Sequence, residues 1–397
     1  MSSNTDTAER RIYIYIAAIS AVLNAVLLVA PVLASKLSAQ LGLEPAQVGL
    51  IASVELGCFS LATVPAFLWL RRVNIRTLTF WCLAVVAAGN VASAVAGSFA
   101  MLLGIRALTS FAAGSVIVVI LSLSAKAANP SRAYGLFVVS QLAMGAVILF
   151  LFPLIYAQRP VAAVYLTLAV LATLCLGCIA CVKGDELQAA ASDQPAARAR
   201  LLPLGCALLA VLCFYVALGG VWTFMAQIAI GSGITLDSAS SLIGIATIFG
   251  VLSSLSSTLV GEHRFGKYFV LAGFAVMAVS IACLFGTPGL LRFVAAAVLF
   301  KIAWSWLLPF LLAEVSRVGG AQVMNAANLV IGGGLAIGPL LAGSLIQATG
   351  GFATMLGVAL VILGVAVISS VVVFRASDAR AAALEESESR PVGPMAS

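Results

Sequence analysis

The chain has 397 residues, 62% of them apolar and 9% charged, with a mean hydropathy of +1.15, whereas an ordinary soluble domain carries roughly 25% charged residues. That composition excludes a water-soluble globule, and the formal charge of +7 is scattered in ones to threes between apolar runs, with no basic stripe for nucleic acid. Eight cysteines that sit mostly inside apolar runs and a single histidine, His263, give no expected metal site and no His-based nucleophile, so neither a metal nor a cofactor is expected.

Residues 1–11 are polar and read as a tail, followed by apolar runs at 12–34, 47–70, 77–96, 98–122, 133–156 and 161–182. The first run is too long for the core of a cleavable signal. A polar stretch at 183–202, holding GDELQAAASDQPAARAR, reads as a linker. Six more apolar runs follow at 203–229, 239–260, 268–286, 289–312, 322–348 and 352–374, and residues 375–397 form a second tail. Each run is close to or above the roughly 20 residues that a membrane-crossing helix needs. None alternates polar and apolar residues as barrel strands do. The expected fold is therefore an all-α membrane protein of twelve transmembrane helices in two six-helix halves, 12–182 and 203–374.

Loops retained in the cytoplasm are enriched in Lys and Arg. Placing both termini there puts most basic residues on that side and leaves Lys36, Arg159 and Arg292 near the opposite interface. A bacterial inner membrane and a functional monomer are the expected setting. The halves also repeat: one constant offset relates Leu50-Ile51 to Leu242-Ile243 and Arg71-Arg72-Val73-Asn74 to His263-Arg264-Phe265-Gly266. Duplicated halves are a common transporter plan, with the substrate site near mid-membrane between them.

On these residues the chain resembles the major facilitator superfamily. The resemblance covers residues from about 10 to 376. It rests on the six-plus-six layout, the long central loop, the basic loops after spans 2 and 8, Arg106 followed by Gly114 in span 4, and the Gly332-Gly333-Gly334, Gly338-Pro339 and Gly343 series in span 11. Two features depart from the family's pattern. Leu70 stands where an acidic residue usually precedes the basic cluster of the 2–3 loop, and Gly145 is followed by VILFLFP instead of the glycine-proline signature of drug antiporters. The resemblance implies two halves that rock about a central site, gated by the loops that carry Arg71, Arg72 and Arg76 and Glu262, Arg264 and Lys267.

Three charges fall within the runs, Glu55, Arg106 and Lys301, each costing about 2.5 to 3.5 kcal/mol at a helix centre. Glu55 and Arg106 both lie about 12 Å from the outer side at 1.5 Å per residue, so an ion pair is geometrically possible. The pair can be a permanent lock, a proton site in which Arg106 governs when Glu55 is ionised, or Glu55 can contact a cationic substrate directly; the repeat puts Thr247 opposite Glu55, so the fold itself does not demand an acid there. Lys301 lies some 18 Å into span 10, near mid-membrane. It shares a helix face with Trp304 and suits an anion-binding role, with Trp304 as a stacking wall. Asn24, Gln141, Trp222, Gln227 and Asn328 are weaker candidates for substrate contact, since hydrogen bonds between helices also explain polar residues in membranes.

No nucleotide-binding loop and no aqueous domain support a primary pump, and no nucleophile and base pair supports an intramembrane enzyme. A sensor or scaffold on the same fold stays open. The reading is a non-enzymatic secondary transporter of a small solute in the lipid bilayer, an organic anion moved together with protons; the alternative is proton-driven efflux of hydrophobic or drug-like compounds.

Overall fold

A computed structural model describes residues 2–70, 72–127, 129–156, 158–185, 187, 201–260, 266–319 and 324–388. The first six spans are built from α1 (Ser2–Leu23) with α2 (Ala25–Leu41), α3 (Pro45–Leu61) with α4 (Thr63–Trp69), α5 (Ile75–Ala94), α6 (Phe99–Lys126), α7 (Pro130–Tyr156), and α8 (Val161–Cys175) with a 3-10 turn at Leu176–Cys181. The second six are α9 (Leu201–Gly231), α10 (Leu236–Val260), α11 (Gly266–Ala282), α12 (Leu290–Gly319), α13 (Met324–Thr349) and α14 (Ala353–Glu388).

Eleven of these segments are long and apolar enough to cross a membrane, and the ninth, Gly266–Ala282, is shorter at 17 residues. Large apolar side chains such as Leu68, Trp81, Leu154, Leu174, Val361 and Ile368 are exposed on the outside of the bundle. Lipid is the solvent that tolerates such a surface. The helices are longer than the hydropathy alone suggests: α12 continues past residue 312 to Gly319, and α14 past residue 374 to Glu388.

The prolines do not end their helices. Pro31, Pro153, Pro309 and Pro339 all lie inside continuous helix. Each deletes one main-chain donor and releases the carbonyl four residues earlier. In the second span the chain does break, at Ala62, just before the helix that holds Pro65.

Between the halves, α2, α3 and α7 meet α9, α10 and α13, while α1 and α4 pack chiefly within their own half. The longest of these contacts, α3 against α13, depends on small residues: a Cβ added at Gly49 would strike the carbonyl of Pro339, and one at Gly343 the carbonyl of Pro45. Glycine thus lets two backbones approach closely without lipid between them. At the loop end Gln347 accepts a hydrogen bond from the Ala46 amide at 3.2 Å and donates to the Glu44 carboxylate. The halves are therefore drawn together at the end of the bundle away from the chain termini.

Candidate functional site

Lys301 is 1% exposed, and its ammonium has no hydrogen-bond partner. It lies 3.6 Å from the centroid of the Trp222 ring and 4.4 Å from that of Trp304. The two indoles meet edge to face at 5.5 Å, and Phe300 stacks on Trp222 at 6.1 Å with 13° between the planes. Gly250 of α10 faces the base of this side chain, where an added Cβ would come to 3.5 Å from the Lys301 Cβ. A cation over aromatic faces is worth about 2 kcal/mol or more once desolvated. Full compensation of a buried charge takes an opposite charge and hydrogen bonds, and neither is present among the described residues.

The cage is tied to the other half. The indole N–H of Trp222 donates to the main-chain carbonyl of Leu27 at 2.8 Å. In an unbroken helix that carbonyl would accept from residue 31, but residue 31 is proline and has no N–H to give. Pro31 thus leaves an acceptor inside the membrane, and Trp222 takes it. A turn and a half further along the same pair of helices, Gln227 donates to the Ala34 carbonyl at 3.4 Å.

Arg106 is the opposite case. It pairs with Glu55 and donates to Asn90 at 2.9 Å and Ser93 at 3.5 Å, and its guanidinium lies 5.1 Å over the Tyr165 ring. Glu55 and Arg106 are 6% and 1% exposed. These groups come from α3, α5, α6 and α8, all in the first half, and the matched depths read from the sequence do bring acid and base together. Two buried hydroxyls near the pair in sequence or space, those of Ser53 and Tyr165, have no partner.

The family model of the Major Facilitator Superfamily matches residues 14–328. The chain belongs to this superfamily. It is accordingly an integral multi-pass membrane protein and a secondary transporter of a small molecule, not an enzyme. Among solved structures it is similar to a variant of the nucleoside transporter NupG (12% identity, TM-score 0.73, covering 93% of this chain and 99% of that one). It is also similar to a bacterial homologue of the human lysosomal transporter Spinster in an inward-facing, unoccupied conformation (14% identity, TM-score 0.69, covering 94% and 97%). A structure of a proton-dependent oligopeptide transporter study matches likewise (12% identity, TM-score 0.72, covering 92% and 98%). At these identities the likeness concerns the fold. No curated protein matches the sequence.

In this superfamily member the remaining candidates separate clearly. Asn24 donates to the Ser20 carbonyl at 3.0 Å, and Ser20 is in turn bonded to Ser140 at 2.8 Å. Gln141 and Asn328 are half-buried and have no side-chain hydrogen bond among the described residues. Of the loop residues, Arg71, Glu262 and Arg264 lie outside the described residues. Arg72 is exposed. Arg76 donates to the Val182 carbonyl at 2.5 Å, and Lys267 pairs with Asp378 at 2.8 Å. Both bonds stay inside one half, and each joins the loop after the second span of that half to the last span.

Two buried charges were not recognised in the sequence. Lys36, expected near an interface, is 3% exposed and donates to the carbonyls of Tyr156 and Arg159 at 2.7 and 2.9 Å, where a cation suits the C-terminus of α7. Glu314, expected beyond span 10, is 7% exposed inside α12, with one carboxylate oxygen on Arg317 and the other unpartnered. For Lys36 a signal existed, since it stands within an otherwise apolar helix; for Glu314 the hydropathy run stops before the helix does.

Proposed function

We propose that the transporter carries a small organic anion by alternating access, with protons as the coupled ion, and that Lys301 is the group that receives the anion. The observation that carries this reading is the buried ammonium of Lys301, which has aromatic faces but no carboxylate and no hydrogen-bond partner among the described residues. An arriving anion supplies the missing charge. It also draws the ammonium away from Trp222, whose N–H holds the second half to the Leu27 carbonyl of the first. Binding and opening of that end are then one event, because the ligand acts on a side chain that forms the closure.

With both termini in the cytoplasm, the closed end is the outer one and this state faces inward. Asn24, Gln141, Gln227 and Asn328 supply neutral polar contacts on the way. Glu55 carries the proton in this scheme. A carboxylate beside a guanidinium is ionised, whereas one left alone in an apolar span holds a proton, so a weakening of the Arg106 contact during the cycle loads and unloads it. Arg76 and Lys267 tie the second-span loop of each half to its last span while the halves rock.

The test is transport in proteoliposomes that contain the full chain. Lys301→Gln is expected to lose anion accumulation, and Glu55→Gln to lose accumulation driven by a pH gradient while keeping exchange at equal pH. A folded Lys301→Gln protein that moves anions at the parental rate would refute the anion assignment. Parental transport of lipophilic compounds, with no anion moved, would favour efflux instead.

A further inference from the structure

Resting on the anion reading of Lys301, we infer that the substrate is a monoanion built on a planar aromatic ring: one carboxylate, or a group of the same charge, and no amine. Counting charges sets the first part. Among the described residues three basic side chains are buried, Lys36, Arg106 and Lys301. Arg106 is neutralised by Glu55, and Lys36 is engaged with the carbonyls of Tyr156 and Arg159. That leaves one uncompensated positive charge at the site. A second carboxylate on the substrate would be buried without a partner.

The acids set the second part. The buried acidic side chains are Glu55 and Glu314, paired with Arg106 and Arg317. Among the described residues no carboxylate stands by the cage to receive an ammonium, so amino acids and amines are refused. Aromatic geometry sets the third. The ammonium lies 3.6 Å over the face of Trp222, the distance at which a flat ring would stack there. Once the ammonium swings toward the anion, that face and the ring of Trp304 are uncovered together. A ring fills the vacated face, and an aliphatic body of similar size fills it without the offset stacking that aromatic pairs favour.

The experiment is calorimetric titration of the purified full-length transporter at pH 7.5 with benzoate, cyclohexanecarboxylate, phthalate and phenylalanine. Counterflow in proteoliposomes serves as the second readout. Benzoate is expected to bind at least ten-fold more tightly than cyclohexanecarboxylate, while phthalate and phenylalanine give no heat. Trp304→Leu is expected to shrink the benzoate preference to two- or three-fold, Trp304→Phe to keep most of it, and Lys301→Gln to abolish binding of both monoanions. Equal affinity for benzoate and cyclohexanecarboxylate, or binding of phthalate or phenylalanine as tight as that of benzoate, overturns the substrate class while leaving the anion reading in place if Lys301→Gln removes it. Benzoate binding that survives in a folded Lys301→Gln protein overturns the anion reading beneath it. Absence of binding by every probe overturns the substrate class as well.

Discussion

Arg106 and Lys301 are both buried to 1% exposure in the same membrane domain, yet they are held in opposite ways. Arg106 meets a carboxylate, an amide oxygen, a hydroxyl and a ring, all supplied by its own half. Lys301 meets two indole faces and nothing that accepts a proton. The difference shows what distinguishes a charge matched by its neighbours from one open to a ligand: the first has an acid and acceptors around it, the second has rings alone, one of which, Trp222, is bonded across to the first half.

The largest effect expected from this contrast is on Arg106. Arg106→Met leaves Glu55 buried and alone, and breaking a buried pair in this way costs about 3 to 5 kcal/mol. Thermal unfolding in detergent should show a large drop in Tm, and Glu55→Gln added to Arg106→Met should restore part of it. An undiminished Tm in Arg106→Met would remove the distinction. Next comes Trp222→Phe, which keeps a ring for the ammonium but deletes the N–H to Leu27. Losing one hydrogen bond of this kind is worth about 1 kcal/mol, read as a shift of spin-label distances across the closed end toward the open population. No change in that population would mean that the bond does not hold the end shut.

Lys301→Met is expected to move stability the other way. Replacing an unpaired buried charge by an apolar side chain of similar length is neutral or stabilising by about 1 kcal/mol or more, so Tm should hold or rise while anion binding disappears. A loss of stability comparable to that of Arg106→Met would place Lys301 among the structural charges. The smallest effect is expected for Pro31→Ala. It gives Leu27 a helical donor again, and competition for that carbonyl should weaken the Trp222 bond by roughly 0.5 to 1 kcal/mol. Fluorescence of Trp222 in a variant lacking the other tryptophans would report it.

Most of this arrangement's parts can be read in the sequence, and its joints cannot. Apolar runs mark the spans, because a helix in lipid must bury its own polar backbone and turn apolar side chains outward. Matched depths foretell Glu55 against Arg106, since both positions are counted along neighbouring helices from the same side. Lys301 with Trp304 is also legible, as residues three apart share a face. What brings Trp222 over the ammonium is the crossing of α9 with α12, and no periodicity within either helix encodes that. Lys36 and Glu314 went unrecognised for a related reason. Hydropathy stops a span at the first charge, while the helix itself stops only when its hydrogen bonds do, so charges near the ends of a span are buried by neighbours that a linear profile does not contain.

The acceptor of the Trp222 bond is a main-chain oxygen. Residue 27 can therefore be exchanged for another apolar residue with little consequence, while the proline four positions on, which touches no ligand, governs whether that oxygen is available. A deep mutational scan of this helix should accordingly show no effect of apolar exchange at 27 and a small, measurable one at 31, a pattern that a search for interacting side chains would read backwards.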